Sequence, residues 1–203
     1  RWAVVGSADA GWVWHIPIGP DRVSVGLVTH RDTVKGADLQ ALYDGAVAGC
    51  AAVAPLLEGA AYLGRLPDGT REGVAAVRDW SYSCARVCGR GWFVVGDGAA
   101  FVDPVLASGR RLATHGASMV ANAITTLQAS DVDAELLQRS YLDAYRDMAS
   151  AYHRVARVWY ARNDQAGSWH WSARRERLRT AGSSVVGETD ADAFTALTLG
   201  VIQ

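Results

Sequence analysis

The segment from Trp92 to Gly109 constrains this chain more than any other. It reads Trp-Phe-Val-Val-Gly-Asp-Gly-Ala-Ala-Phe-Val-Asp-Pro-Val-Leu-Ala-Ser-Gly. Trp92-Phe93-Val94-Val95 is a short, continuous apolar run of the kind buried on both faces of a sheet. The run stops at Gly96, an aspartate follows at once, and a Gly/Ala/Pro turn leads to a helix beginning near Ser108. Physically this is a ligand end. Asp97 at a strand's carboxyl edge accepts hydrogen bonds from a polyol hydroxyl, and Gly96 and Gly98 let backbone approach a ligand with no Cβ in the way. The amides around Ser108-Gly109 lie at a helix N-terminus, where the partial positive charge favours an anion. A bare Gly-Asp would read as a plain connection with a solvent-facing aspartate. Its arrival together with Pro104 and Ser108-Gly109, after an apolar strand, favours the ligand reading.

The rest of the chain has two textures. Up to about Val95 the segments are short, apolar and rich in Gly and Trp. Trp2-Ala3-Val4-Val5 reads as a strand. Gly11 to Thr29 reads as a hairpin, with Trp12-Val13-Trp14-His15-Ile16 in one arm, turn chemistry through Gly19-Pro20-Asp21, and period-two alternation in Val23 to Val28. Alternation puts Trp12, Trp14 and Ile16 on one face and His15 on the other. Asp38 to Ala52 predicts a helix with Leu39, Leu42, Val47 and Cys50 near one face. Pro55 breaks the chain before an expected strand at Ala60 to Leu66, Pro67-Asp68-Gly69 marks a turn, and Arg78 to Val87 alternates again. Beyond Gly109 the pattern turns helical. Leu112 to Leu127 predicts a small-residue helix with Ala113, Gly116, Ala117, Val120, Ala121 and Ile124 inward. Ala134 to about Arg162 predicts a long amphipathic helix or helix pair, with Leu136, Leu137, Tyr141, Tyr145, Met148, Tyr152, Val155 and Trp159 at threes and fours. Gly182 to Gly187 reads as a loop. The expected division is 1–90, a substrate-side sheet; 91–130, a cofactor-contacting strand–turn–helix; and 131–203, a helical C-terminal region.

Composition narrows the function. With 20 basic and 21 acidic residues the formal charge is −1, which gives no field for a nucleic-acid backbone or an anionic membrane. No stretch reaches the ~18–20 apolar residues that span a bilayer, and the N-terminus lacks a signal-peptide layout. Three cysteines, Cys50, Cys84 and Cys88, are too few for a disulfide scaffold and read as buried thiols of a cytoplasmic protein without a metal site. Lys35 is the single lysine and reads as a surface-loop residue. Asp103 before Pro104 shapes the turn. His115 either approaches a ligand at Gly109 or is a hydrogen-bonded core histidine. Arg174-Arg175-Glu176-Arg177 reads as a solvated helix face.

The spacing Gly96-Asp97-x6-Pro104 resembles the second flavin-contacting motif of the FAD-dependent monooxygenase superfamily. The fuller Val-Gly-Asp-x-Ala-x-Phe-x-Asp-Pro-x-x-x-Ser-Gly is similar to flavin-dependent halogenases. Gly11-Trp12-Val13-Trp14-His15-Ile16-Pro17 carries the Trp-x-Trp-x-Ile-Pro hallmark of that family, followed by Ser24-Val25-Gly26. Trp159-Tyr160-Ala161-Arg162-Asn163 and Trp169 to Arg174 are similar to the helix pair closing its substrate side. The resemblance implies an α/β, partial FAD-binding, monooxygenase-like fold, with antiparallel substrate-side strands, one strand of a parallel cofactor sheet and a helical C-terminal cap. It implies that Asp97 binds the ribitol of FAD, with Gly96, Gly98 and Pro104 beside it, and that Ser108-Gly109 holds chloride. It further implies that Trp12, Trp14, Ile16 and Pro17 line the passage between flavin and substrate and keep the two apart; core packing is the alternative for the tryptophans.

The implied activity is chlorination of an electron-rich aromatic in secondary metabolism, with FAD carrying the redox chemistry. Its partners would be an aromatic small molecule, such as a phenol or pyrrole tethered to a carrier protein, and a separate flavin reductase. A hydroxylase or dehydrogenase of the same superfamily, or a truncated non-catalytic chain, are the alternatives. Arg110 and Arg111 follow the Ser-Gly pair where similar proteins carry other residues; they either add anion affinity or bind solvent. No Gly-x-Gly-x-x-Gly occurs, and Lys35 does not match the family's catalytic lysine. Together with the start at Arg rather than Met, this sets the expectation of a halogenase's later half.

Overall fold

Alternation of period two in the first thirty or so residues produces an antiparallel sheet of β1 (Val4–Ala8), β2 (Gly11–Pro17) and β3 (Val23–Thr29), in that order. The computed structural model describes residues 2–63, 74–77 and 81–162. Trp2 and Ala3 precede the first strand, so it begins later than the sequence predicts. In the β2–β3 register Trp12 faces Val28 and Trp14 faces Gly26. One face of β2 carries Trp12 and Trp14, with ring centroids 6.1 Å apart. The other carries Val13, which joins Ala8, Ala46, Cys50 and Val53 in a fully apolar cluster flanked by Val25 and Leu27. That second face is covered because α2 (Leu39–Ala48) follows the one-turn α1 (Arg31–Val34). Asp38 caps α2, its Oδ1 accepting from the amides of Gln40 at 3.0 Å and Ala41 at 3.2 Å. Lys35 is an exposed residue paired with Asp32 at 3.0 Å.

Pro55 sits in the first turn of a short 3-10 segment, Ala54–Leu57. The strand expected at Ala60 to Leu66 does not form over its described part. Tyr62 and Leu63 are exposed, with no strand alongside among the described residues, and an apolar run becomes a strand only when a neighbour satisfies its N–H and C=O groups. Residues 64–66 and the Pro67-Asp68-Gly69 turn lie outside the described residues.

The chain forms two compact units; of the described residues, 2–63, 74–77 and 160–162 belong to the first and 81–159 to the second. The second is built from fragments of sheet. β4 (Tyr82–Ser83) pairs antiparallel with β7 (Ala100–Phe101), and β5 (Cys88–Gly89) with β6 (Trp92–Phe93). Over its described part, 81–87, the expected strand at Arg78 to Val87 is thus cut to two residues, as is the one at Trp92 to Val95; residues 78–80 lie outside the described residues. Trp92 is exposed rather than buried on both faces. No parallel pair occurs among the described residues, whose sheets are all antiparallel; the turn Gly89-Arg90-Gly91 brings β6 straight back on β5, a connection too short for a parallel crossover.

Two helices complete this unit: α3 (Gly109–Ala129) and most of α4 (Ala134–Arg162). Of the expected inward face of α3 only Gly116 is buried, with Leu112 and Ala123, while Ala117, Ala121 and Ile124 are exposed. The face that packs is set by Tyr145, whose ring fills the space a Cβ at Gly116 would need. On α4, Tyr141, Tyr145, Ala149, Tyr152 and Val155 form the buried stripe, and Leu136 is exposed. Among the described residues no helix is long and apolar enough to cross a membrane. The expected loop at Gly182 to Gly187, the Trp169 to Arg174 segment and its charge run lie outside the described residues.

Candidate functional site

The Gly-Asp turn is a backbone device. Gly96 is buried with φ +61°, and its missing side chain lets Ala113 of α3 come within 3.1 Å of where a Cβ would stand. Both features require glycine. Gly96–Gly98 forms one 3-10 turn, closed by Ala99 N–H donating to Gly96 O at 2.9 Å. Asp97 thus sits in a tight turn rather than at the carboxyl edge of a long buried strand. A second 3-10 turn, Pro104–Leu106, follows; Asp103 Oδ1 accepts from Val105 N–H at 3.1 Å and shapes it as expected. Ala107 then takes a left-handed φ of 50°, sparsely populated for a residue with a Cβ. That reversal delivers Ser108 to the N-cap of α3.

These two turns and the start of α3 enclose an open cleft of about 390 Å³, lined among others by Asp97, Phe101, Pro104, Ser108, Gly109 and Arg110. The Asp97 side chain is exposed to it, its Oδ1 3.5 Å from where a Gly109 Cβ would stand. Ser108 is 2% exposed and its hydroxyl oxygen has no hydrogen-bond partner among the described residues. A buried hydroxyl without a partner costs free energy, so this one is suited to a bound group. The helix it opens is 21 residues long with no acidic residue in its first turn, leaving the positive end of the dipole uncompensated from within. The cleft therefore combines a carboxylate that accepts hydroxyl hydrogen bonds with an amide-rich end that accepts an anion. Gly96 and Gly98 lie behind it; a Cβ at Gly98 would meet Val94 Cγ1 at 3.1 Å.

Three tyrosines hold this turn by its carbonyls. Tyr141 donates to Val94 O at 2.7 Å, Tyr145 to Gly96 O at 3.1 Å, and Tyr82 to Asp97 O. Burial pushes the Tyr141 and Tyr145 phenols above the usual range, which keeps them protonated donors. Sequence reading assigned Tyr141 and Tyr145 to a helix face only. The available signal was their polar tip, since a buried tyrosine hydroxyl needs a partner.

The tryptophan hallmark belongs to the first unit. Trp12 is 2% exposed, and its indole N–H donates to Tyr160 Oη at 2.8 Å. Trp14 donates to Ser24 Oγ at 3.2 Å, and a Cβ at Gly26 would fall inside the Trp14 ring. The Ser-Val-Gly that follows the hallmark is thus its cross-strand complement, one residue receiving the indole N–H and another leaving room for the ring. Ile16 is exposed and Pro17 half-buried. His15 lies on the opposite face, buried.

Other candidates stand apart. His115 is exposed, which corrects the reading of it as a core histidine. His153 Nε2 lies 3.3 Å from Ser83 Oγ, and burial, then the nearby Arg157, lower its proton affinity. Cys50 is buried, Cys84 and Cys88 are half-buried, and burial raises the Cys88 thiol. Among the described residues no three His, Cys, Asp or Glu side chains converge as a metal site.

Comparison with known proteins bears on this arrangement. The tryptophan halogenase family profile matches residues 3–186. A tryptophan 2-halogenase of Chondromyces crocatus is 27% identical over 203 residues, covering 98% of this chain and 38% of that protein. A 1H-pyrrole-2-carbonyl-[peptidyl-carrier protein] chlorinase of Pseudomonas fluorescens is 30% identical over 126 residues, 56% of this chain and 24% of that one. Among solved structures, the myxobacterial chondrochloren halogenase superposes with a TM-score of 0.75 at 27% identity, over 96% of this chain and 46% of its own. The chain thus spans less than half the length of these relatives.

Proposed function

The chain belongs to the tryptophan halogenase family, a family of flavin-dependent halogenases, and on that premise we propose that it supplies the ribityl-, halide- and substrate-side residues of an FAD-dependent halogenase. The observation that carries the reading is the convergence of the Asp97 carboxylate, the unpartnered Ser108 hydroxyl and the α3 N-terminus on one cleft. Those groups suit the ribityl and ring end of FAD. The sequence has no Gly-x-Gly-x-x-Gly to cradle the pyrophosphate of the adenosine end, so these residues fit one end of the cofactor.

In this reading Asp97 accepts hydrogen bonds from ribityl hydroxyls and fixes the flavin's orientation. Ser108 and the first amides of α3 hold chloride, Gly109 leaves the side facing Asp97 open, Pro104 lines the cleft, and Gly96 and Gly98 shape the turn behind it. Trp14, Ile16 and Pro17 retain surface for the passage to substrate, and Trp12 backs Trp14 from within. FAD held through Asp97, and reduced by a separate reductase, would supply the oxygen activation needed to oxidise chloride to hypochlorous acid; the protein's own residues position reactants and exclude water. The substrate is an electron-rich aromatic. Carrier-protein tethering and chlorination draw support from the Pseudomonas fluorescens chlorinase, and the setting is secondary metabolism in the cytoplasm.

The test is flavin retention in the natural protein with Asp97→Ala. Loss of the flavin absorbance with fold retained supports the reading, and unchanged flavin content overturns it. Product analysis at saturating chloride separates neighbouring activities: an oxygenated product without halogen would select a hydroxylase or dehydrogenase. The missing pyrophosphate cradle favours a second reading for the 203-residue chain taken alone, a non-catalytic portion that binds no FAD. Titration of that chain with FAD, beside intact-mass measurement of the natural protein, decides between them.

A further inference from the structure

The geometry assigns Arg110 as the residue that sets anion affinity in the cleft, in contrast to its neighbour Arg111; the assignment rests on the anion site proposed above. Sequence leaves the two guanidiniums equivalent. In the structure they separate, because successive residues of a helix point about 100° apart: Arg110 lines the cleft with Ser108, Gly109 and Asp97, and Arg111 is exposed away from its lining.

Three observations converge on a small inorganic anion as the ligand Arg110 serves. The cleft is lined by Ser108, 98% buried, whose hydroxyl has no partner among the described residues. Both arginines stand in the first turn of a 21-residue helix that has no acidic residue there, so each adds positive charge where the helix dipole is already positive. A bound anion relieves that repulsion. Finally, no ion pair joins Arg110 to a carboxylate among the described residues, although Asp97 shares the cleft. Its guanidinium is left available to a ligand, and a permanently charged, planar donor adds Coulombic attraction to the directional hydrogen bonds of the amides and the Ser108 hydroxyl.

The experiment is titration of the natural protein with potassium chloride, read by broadening of the chloride-35 resonance, with no turnover required. Arg110→Gln should weaken chloride binding about tenfold, the usual size of losing a charge-assisted contact. Arg110→Lys should recover most of it, and Arg111→Gln should stay within about twofold, as expected for a screened surface charge. Equal effects of the two glutamine variants would overturn the assignment, since the charge would then act only through the general field. Gly109→Leu, which fills the cleft, separates the levels. If it removes broadening while Arg110→Gln leaves it intact, the assignment of Arg110 fails and the anion site stands. If it also leaves broadening intact, the anion site itself fails. Circular dichroism on each variant establishes that the fold is retained.

Discussion

Around β2 the chain is held by its own ladder, and around Gly96 it is held by other people's hydroxyls, in the sense that tyrosines from distant parts of the sequence replace the missing strand partners. The sheet of β1–β3 pairs five residues of β1 and seven of β3 with β2, and side chains cover both of its faces at Trp12 and Val13. The second unit's strands are two residues long. Its key turn receives hydrogen bonds on three carbonyls from Tyr82, Tyr141 and Tyr145. A closed ladder makes a stable platform but leaves its backbone spoken for. A turn fixed from behind by side chains leaves the Asp97 carboxylate and the amides of α3 turned to a cleft. The contrast explains why the candidate chemistry gathers where regular structure is poorest.

Truncating the indole offers the largest effect. Trp12→Ala should cost about 3–5 kcal/mol in urea unfolding, since it empties a buried site and strips Tyr160 of its indole partner; a loss under about 1 kcal/mol would break the contrast by showing that the sheet is not held by packing. Tyr145→Phe tests the other region. It leaves the ring in place and removes one of the two donors to the carbonyl of buried Gly96, the other being Ala99 N–H, at a cost of about 0.5–1.5 kcal/mol. Amide exchange at Ala99, which donates to that carbonyl, should accelerate more than exchange in β2; uniform acceleration would mean the hydroxyl acts on global stability alone. Asp38→Ala, removing the α2 cap, should lower stability by about 1 kcal/mol and leave flavin and chloride binding unmoved.

The smallest effect is a pH dependence in the second unit. His153 has its proton affinity lowered below the ordinary 6.5 by burial and then by Arg157. Below that pH the unfolded chain binds more protons than the folded one, so stability falls as pH drops from 6.5 through the lowered folded value. His153→Gln should flatten that decline in thermal melts between neutral and mildly acid pH; an unchanged slope would assign the acid sensitivity elsewhere.

Much of the first unit was legible because period-two alternation and a proline-glycine turn are local signals. The hairpin arms, the existence of α2 and the separation of Val13 from Trp12 across the sheet all follow from neighbours in sequence. The long helices α3 and α4 were legible for the same reason. The apolar runs at Ala60 and Trp92 misled, because an apolar run states only that burial is favourable and not whether a partner strand is at hand. In the cleft, residue types and spacing pointed to Asp97, Pro104 and Ser108-Gly109, which do line one cavity. They were silent on the tyrosines that hold the turn.

Sequence by itself determined the family, the hairpin with its paired tryptophans, the turn at Gly96-Asp97 and the helix that starts at Ser108. Tertiary structure alone decided which face of α3 packs, which carbonyls Tyr82, Tyr141 and Tyr145 receive, and which of two adjacent arginines enters the cleft. The physical reason is range. Turn and strand preferences are set by covalent neighbours, whereas Tyr145 and Gly96 stand 49 positions apart and meet only when the helix has docked.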